Sequence, residues 1–192
     1  MIKEYSPVEE IKETFPKKEI AFAFIKPDYI KDLPEIEKIL QDNGLIVIYE
    51  DRVRLSPRAV DNIYAASKEE HFYPAMKDYL TNNEVVILLV GGDGLDAQRV
   101  LSSLKKNEGA DGAIRQKLQR EPKVAAEDLE LWQEGKHPEQ DQLSVILTQK
   151  NVIHTADSTE EALHDLQMIL GDKFEYLKKK GNLPAELWDV FK

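Results

Sequence analysis

Four short apolar runs recur along the chain, and they predict four β-strands. The first, at 20–25, is almost continuously apolar, as expected of a central strand that is buried on both faces. Lys26 and Pro27 follow it, and the strand should end there because a proline cannot donate a hydrogen bond to a sheet. The other runs lie at 45–49, at 84–90 and directly before His154.

Between the strands, apolar residues recur at the spacing of amphipathic helices. Except for the segment at 69–80, these helices begin at a residue that favours helix starts, either a proline in the first turn or a capping side chain such as Ser56 or Asp93. The last helix begins with Ser158 and Glu161 at the spacing of a capping box. The predicted helices cover residues 32–43, 56–64, 69–80, 93–104 and 158–170.

The order of these elements predicts the fold. Strand, helix, strand, helices, strand, helix and strand form the βαββαβ arrangement of the ferredoxin-like fold, an antiparallel sheet with helices on one face. We therefore predict an α/β protein of the α+β sandwich type, with a four-stranded antiparallel sheet, over residues 19–170. Residues 1–18 are predicted to be an N-terminal extension. Residues 171–192 are predicted to be a C-terminal extension that packs on this domain or on a neighbouring subunit.

A segment at about 116–150 interrupts the pattern. It is strongly polar as far as residue 142, with one predicted helix at 125–132 and a predicted additional strand at 143–147. A structureless loop of this length is uncommon inside a compact domain, so we interpret the segment as an insertion with its own structure.

Composition and charge narrow the class of protein. The chain has 192 residues, a formal net charge of −10 and no cysteine, which excludes disulfides, thiolate catalysis and cysteine-ligated zinc. No apolar run approaches membrane-spanning length, and the first residues lack the apolar segment of a signal peptide. The negative charge disfavours a surface that coats nucleic acid. We therefore expect a soluble cytoplasmic protein with no membrane or nucleic-acid partner.

Three common catalytic motifs do not fit the sequence. The glycine-rich stretch at 91–94 follows a strand, but it lacks the Lys-Ser/Thr ending of a P-loop. The four histidines are too scattered for a metal-binding motif, and no serine lies in a nucleophile elbow.

A different set of cationic, aromatic and amide side chains lies at the ends of the predicted elements, and it resembles the nucleoside diphosphate kinase family. Each matching stretch is weak evidence alone, but five in the right order on the right elements are strong evidence. The stretches are Ala23-Phe24-Ile25-Lys26-Pro27-Asp28, Tyr64-Ala65 with Phe72 eight residues on, Arg99, Gly112-Ala113-Ile114-Arg115, and Asn151-Val152-Ile153-His154 with Asp157-Ser158.

The resemblance implies a phosphotransferase of nucleotide metabolism. Such an enzyme moves the γ-phosphoryl group of a nucleoside triphosphate onto a histidine, here His154, and then onto a nucleoside diphosphate in a ping-pong cycle. A neutral imidazole suits this role because it is a nucleophile at pH 7. The resemblance also implies that Lys26, Arg99 and Arg115 neutralise phosphate charge, and that Mg²⁺ arrives on the nucleotide phosphates rather than in a protein metal site.

The remaining roles follow from the same resemblance. Tyr64 would donate a hydrogen bond to the transferring phosphate, and Asn151 with Lys26 would contact the sugar hydroxyls. Phe72 would stack on the base, a contact that tolerates any base. Asp165 would orient His154 through the second ring nitrogen. The family also implies a homo-oligomer.

The sequence differs from the family pattern beside these residues, and this keeps a second hypothesis open. The departures are Thr155 and Ala156 in place of Gly-Ser, Asp165 in place of Glu, Ser67 in place of His, Glu70 in place of a basic residue, and Lys105 or Lys106 near the position of a phosphate-contacting threonine. The second hypothesis is a nucleotide-binding or scaffold domain that has lost turnover. A regulatory ferredoxin-like module without a nucleotide is the third.

Overall fold

The computed structural model describes residues 20–105, 113–171 and 173, and its centre is a four-stranded antiparallel sheet. The strands lie in the order β2-β3-β1-β4, so β1 and β3 are internal while β2 and β4 form the edges. This topology confirms the predicted ferredoxin-like α/β fold. The strands are β1 (Ile20–Ile25), β2 (Ile46–Arg54), β3 (Glu84–Gly91) and β4 (Ile153–Thr155).

Eight α-helices are present in the part of the chain that the structure describes, and short 3₁₀ turns at Pro27–Asp32 and Ala65–Ser67 connect some of them to the strands. The helices are α1 (Leu33–Asp42), α2 (Pro57–Ile63), α3 (Tyr73–Asn82), α4 (Ala97–Lys105), α5 (Ala113–Leu118), α6 (Ala126–Gln133), α7 (Gln140–Ser144) and α8 (Thr159–Leu170). None of them is long and apolar enough to cross a membrane.

Helices cover both faces of the sheet, so the prediction that they lie on one face was wrong. Phe22 and Phe24 point to one face, where they pack with residues from α2, α3 and α8. Ala21, Ala23 and Ile25 point to the other face, where α1, α4 and α5 form a second core. Because successive side chains of a strand alternate between faces, two cores require apolar residues at every position of β1. This accounts for its unbroken apolar run.

Two predicted helix starts were displaced along the chain. Asp93 was expected to cap α4, but the side chain of Asp96 accepts a hydrogen bond from the backbone N–H of Arg99 at 3.1 Å and α4 begins at Ala97. The segment predicted as helical from Glu69 becomes an α-helix only at Tyr73. A turn precedes each helix, and turn residues with helical spacing cannot be distinguished from a first helical turn by apolar periodicity alone.

The insertion is helical, and the strand predicted at 143–147 was wrong. The predicted helix at 125–132 is confirmed as α6, but residues 143–147 belong to α7 and to a π-helical turn at Val145–Gln149. The hydroxyls of Ser144 and Thr148 each donate to the carbonyl oxygen four residues earlier, at 2.8 Å and 2.7 Å. Val145 is buried while Ile146 remains exposed, so one helical face contacts the core.

The C-terminal helix of the core has the predicted start and end. The Ser158 hydroxyl accepts a hydrogen bond from the backbone N–H of Glu161 at 3.1 Å, and the Glu161 carboxylate accepts one from the N–H of Asp157 at 2.8 Å. Gly171 ends α8 with a φ of 51°, a left-handed conformation that favours glycine. The predicted extensions at 1–18 and 171–192 lie outside the described residues, apart from Gly171 and Lys173.

Candidate active site

His154 lies in the middle of the edge strand β4, directly opposite Phe24 of β1. Its ring is stacked on the Phe24 ring, with centroids 4.6 Å apart and planes at 22°. Tyr64 approaches from the end of α2, with its ring centroid 5.4 Å from that of His154. Two aromatic neighbours therefore fix the plane of the imidazole and exclude water from two of its sides.

Asp165, which is buried on α8, contacts the Nε2 atom of His154 through its Oδ2 atom at 3.3 Å. A carboxylate is only an acceptor, so this contact assigns the proton of the neutral imidazole to Nε2. The lone pair of the ring then lies on Nδ1. Asp165 lies in the second turn of α8, on its buried face, and the Ser158 cap fixes the start of this helix.

Lys26 leaves β1 two residues after Phe24, on the same face of the sheet, and its side chain is almost fully buried. Its Nζ atom donates to the carbonyl oxygen of Gln149 at 2.7 Å, which ties the end of β1 to the π-helical turn. Burial, followed by the charges of Arg115 and Lys105, lowers the pKa of Lys26 to about 7. A buried ammonium with two cationic neighbours attracts an anion.

Arg115 on α5 reaches the outer edge of β4. Its Nη2 atom lies 3.2 Å from Oδ1 of Asn151 and 3.3 Å from the carbonyl oxygen of Ile153. The backbone N–H of Lys26 donates to Val152, so the alternation of an antiparallel ladder turns the carbonyls of Ile153 and Thr155 away from β1. Arg115 thus binds the free edge of the strand that carries His154.

Lys105, the last residue of α4, approaches the same edge on the other side of His154. Its Nζ atom donates to the carbonyl oxygen of Thr155 at 3.3 Å and lies 3.7 Å from Oδ1 of Asp157. Burial is the main cause of its lowered pKa, and the charge of Arg115 adds to the effect. Three cationic side chains therefore surround one histidine.

The electrostatics of this cluster keep the histidine neutral. Burial lowers the pKa of His154 below its ordinary value; the charges of Lys26 and Lys105 add to this, and Asp165 opposes it. Burial also raises the pKa of Tyr64, which therefore remains a phenol that can donate a hydrogen bond. The site combines a neutral imidazole with a concentration of positive charge.

Some buried polar atoms of the cluster have no hydrogen-bond partner within the described residues. They include the Tyr64 hydroxyl and Nε of Arg115, both of them donors, and Oγ1 of Thr155. A buried donor without a partner costs about 1–3 kcal/mol, so such groups are expected where a ligand completes them. A phosphate oxygen would satisfy both donors.

The structure brings together most of the side chains that the sequence singled out, but two lie elsewhere. Arg99 is exposed on α4, and its side chain makes no hydrogen bond with the described residues. Phe72 lies immediately before α3, partly buried against the first core, with its ring 5.6 Å from that of His71. The cluster contains Lys26, Tyr64, Arg115, Asn151, His154 and Asp165.

Reasoning from the sequence missed two members of the cluster. Phe24 was interpreted only as part of a strand, although its position two residues before Lys26 places both side chains on one face. Lys105 was left as an alternative to Lys106, which lies outside the described residues. The sequence did contain one signal for Lys105. It directly follows the buried Leu104, which places its side chain at the border of the buried face of the helix.

Comparison with protein families identifies the same relatives that the motifs indicated. The family model described as nucleoside diphosphate kinase matches residues 19–129. The nucleoside diphosphate kinase of Rhizobium rhizogenes is 35% identical over 101 residues, which cover 50% of this chain and 72% of that protein. The one from Desulforapulum autotrophicum is 23% identical over 158 residues, which cover 80% of this chain and 96% of that protein.

Solved structures with the same fold include two nucleoside diphosphate kinases. The Halobacterium salinarum protein, a complex with CDP, aligns with a TM-score of 0.54 and 18% identity over 80% of this chain and 88% of its own. The Encephalitozoon cuniculi protein aligns with a TM-score of 0.55 and 18% identity over 89% of this chain and 96% of its own. At this identity the likeness establishes the fold alone.

Proposed function

The chain belongs to the nucleoside diphosphate kinase family, and we propose that it transfers the γ-phosphoryl group of a nucleoside triphosphate to a nucleoside diphosphate through phospho-His154. One observation carries the proposal. A neutral imidazole, oriented by Asp165, lies among Lys26, Arg115 and the uncommitted hydroxyl of Tyr64. Phosphoryl transfer needs mainly such positioning and charge neutralisation.

In the first half-reaction, Nδ1 of His154 attacks the γ-phosphorus. A phosphorus–nitrogen bond forms while the bond from the γ-phosphorus to the β–γ bridging oxygen breaks, and the nucleoside diphosphate leaves with the bonding electron pair. Asp165 holds the Nε2 proton and stabilises the positive charge that the ring acquires. In the second half-reaction, the terminal phosphate oxygen of another nucleoside diphosphate attacks the same phosphorus and releases the neutral imidazole.

The surrounding donors stabilise the charge of the transferring group. Arg115 would offer Nε, which lacks a partner in the described residues, and Tyr64 would offer its hydroxyl. Lys26 would move its ammonium from the Gln149 carbonyl to a phosphate oxygen, which also raises its pKa and keeps it charged. Each of these groups is buried, so its interaction with a phosphate is weakly screened.

Mg²⁺ would enter with the nucleotide and neutralise part of the charge on its phosphates. In the described residues, no group of three or more His, Cys, Asp or Glu side chains could hold a metal ion, so the proposal assigns the ion to the phosphates rather than to the chain. Asn151 and Lys26 are assigned to the sugar hydroxyls and Phe72 to the base. The CDP complex of the Halobacterium relative supports a nucleotide as the ligand.

Arg99 is assigned to the nucleotide phosphates because its exposed side chain is free to turn toward an incoming ligand. We also propose a homo-oligomer, which the family supports. A cytoplasmic location is proposed as well, because a chain without cysteine fits a reducing compartment.

The second candidate function is a nucleotide-binding or scaffold domain without turnover. Lys26 favours it, because a lysine whose pKa is about 7 and whose Nζ is bound to a carbonyl oxygen is only partly available to a phosphate at neutral pH. The two functions share the binding of a nucleotide and differ in the covalent intermediate.

The deciding experiment is phosphorylation of the protein by γ-labelled ATP with Mg²⁺. The wild type should acquire a label that is labile to acid and stable to alkali, as expected of a phosphohistidine, and His154→Ala should fall to background. His137→Ala is the matched control, because His137 lies in the insertion beside Asp128 and should leave the label unchanged.

The label must then pass to an added nucleoside diphosphate. Complete transfer supports the kinase, and a label that stays on the protein indicates a domain that has lost turnover. A wild-type protein that binds ATP but takes up no label would contradict phospho-His154.

A further inference from the structure

The edge strand β4 presents two outward carbonyl groups, and each of them binds a cation. Arg115 donates to Ile153 at 3.3 Å, and Lys105 donates to Thr155 at 3.3 Å. His154 lies between these two residues, so the cations are separated by about 7 Å along the strand. They come from different helices, α5 and α4, and both approach from the face opposite the Phe24 side chain.

Within the described part of the chain, Lys105 uses only one of its ammonium donors. An ammonium group has three N–H donors, and one of them contacts Thr155. Asp157 is its ion-pair partner, but the distance of 3.7 Å is too long for a hydrogen bond and the Asp157 side chain is 88% exposed. The charge of Asp157 raises the pKa of Lys105, but burial outweighs this effect and solvent screens the exposed carboxylate. The Lys105 side chain itself is only 22% exposed.

The charge of Lys105 acts on the centre of the cluster. It lowers the pKa of both Lys26 and His154, which places its ammonium within electrostatic reach of each. Lys105 lies in the last described turn of α4, directly after the buried Leu104. The side chain is therefore held at the site by its own helix and by β4.

We propose that Lys105 binds the phosphoryl group exchanged at His154, as a second edge cation beside Arg115. The assignment of the exchanged group rests on the proposed function, whereas anion binding at this edge does not. Lys105 would donate its free N–H groups to phosphate oxygens while retaining the contact with Thr155. The negative charge of the transferring group would then be shared between both sides of β4.

The first test is the binding of inorganic pyrophosphate, which requires no turnover. Pyrophosphate should raise the melting temperature of the wild type. Lys105→Met, which preserves the apolar stem but removes the charge, should bind it about 10- to 100-fold more weakly, as expected for a lost charged hydrogen bond. Lys105→Arg should retain most of the affinity. Lys38→Met is the control, because Lys38 is an exposed lysine of α1 in another part of the fold.

The second test separates phosphate binding from support of β4. In single-turnover labelling, His154 of Lys105→Met should be phosphorylated about 10- to 100-fold more slowly. The acidic limb of the pH–rate profile should also shift to higher pH, because the pKa of His154 rises without this charge. A purely structural lysine would lower the melting temperature and leave unchanged both the pyrophosphate affinity and the labelling rate measured on the alkaline side of the profile.

The outcomes also separate this proposal from the kinase proposal. If Lys105→Met binds pyrophosphate as tightly as Lys38→Met does, the proposed role of Lys105 is overturned, even if the enzyme is active. A wild type that takes up no label, combined with loss of pyrophosphate binding in Lys105→Met alone, would overturn the kinase and retain Lys105 as an anion-binding residue.

Discussion

The pKa of His154 is subject to two opposing effects. Burial and two cations favour the neutral imidazole, while the carboxylate 3.3 Å from Nε2 favours the protonated form. Neutrality is needed before the attack, and stabilisation of positive charge is needed after it. The site provides both because the charges of Lys26 and Lys105 oppose protonation of the ring, while Asp165 accepts a hydrogen bond from Nε2 and stabilises positive charge on it.

Asp165→Asn tests this balance. The amide keeps the shape of the side chain but removes its charge, so we expect kcat to fall about 10- to 100-fold with little change in KM. The pKa of His154 should fall further, and the acidic limb of the pH–rate profile should shift to lower pH. This direction is opposite to that expected for Lys105→Met. The measurement is kcat/KM between pH 5 and 9, with Asp165→Glu as the charge-preserving control.

A shift of the Asp165→Asn profile to higher pH, or no change in kcat, would contradict the orienting role of this carboxylate. At this scale the sequence singled out residues whose chain neighbours are distinctive, such as Lys26 before Pro27 and His154 before the α8 cap, and the structure places both in one cluster. It predicted Lys105 poorly, since a lysine at the end of an amphipathic helix has the same local sequence whether it is solvated or part of a site.

The start of α8 connects a local capping motif to the site, because this helix carries Asp165. Ser158→Ala removes the acceptor for the Glu161 N–H and should lower the free energy of unfolding by about 1 kcal/mol. Glu161→Ala removes the acceptor for the Asp157 N–H and should lower it by a similar amount. Since both hydrogen bonds fix one turn, the double variant should lose less than the sum, as measured by urea unfolding.

Ser56→Ala is the matched control for this cycle. Its hydroxyl caps α2 with the same geometry, at 3.1 Å from the N–H of Ala59, but it shares no partner with Glu161. Its effect should add to that of Glu161→Ala. A Ser158→Ala/Glu161→Ala pair that is equally additive would show that the two caps act independently.

Elements were predicted well where two independent signals agreed. β1 combined an apolar run with a proline stop, and α8 combined an apolar period with a capping box and a terminal glycine. The segment at 143–147 had only a short apolar run, which fits a buried strand or one face of a helix equally well. Tertiary contacts decided it, because Leu143 in α7 and Val145 in the π-helical turn that follows are both buried.

For the whole molecule, the site is a source of instability. Burial holds the pKa of Lys26 at about 7, whereas the same group titrates near 10.5 when solvated. Between these values the unfolded chain binds more protons than the folded chain, so the free energy of unfolding rises with pH from about 7 to about 10. Below pH 7 the folded protein bears the full cost of this buried charge.

Lys26→Met should therefore stabilise the protein while abolishing phosphorylation. Replacing an ammonium near Arg115 and Lys105 by an apolar side chain of similar length should raise the free energy of unfolding at pH 6.5 by about 1–2 kcal/mol. The melting temperature should rise by roughly 2–8 °C. The gain should shrink as the pH rises above 7 and should vanish above about pH 10.5, where the wild-type lysine is neutral in both states.

Lys38→Met serves again as the control and should show no such dependence on pH. A Lys26→Met protein that is less stable than the wild type at every pH would mean that the contact with the Gln149 carbonyl outweighs the buried charge.

The contact between Lys26 and Gln149 also joins residues 123 positions apart, and this separation matters during synthesis. At about 5–20 residues per second, a ribosome adds the intervening chain in roughly 6–25 s. Throughout that interval β1 lacks the neighbour that covers one of its edges. The nascent chain therefore exposes unpaired backbone groups and apolar side chains, which chaperones can bind and which favour aggregation. Lys26, Tyr64 and Lys105 have then left the ribosome without His154. The proposed reaction with a nucleotide can begin only when the last strand closes the sheet.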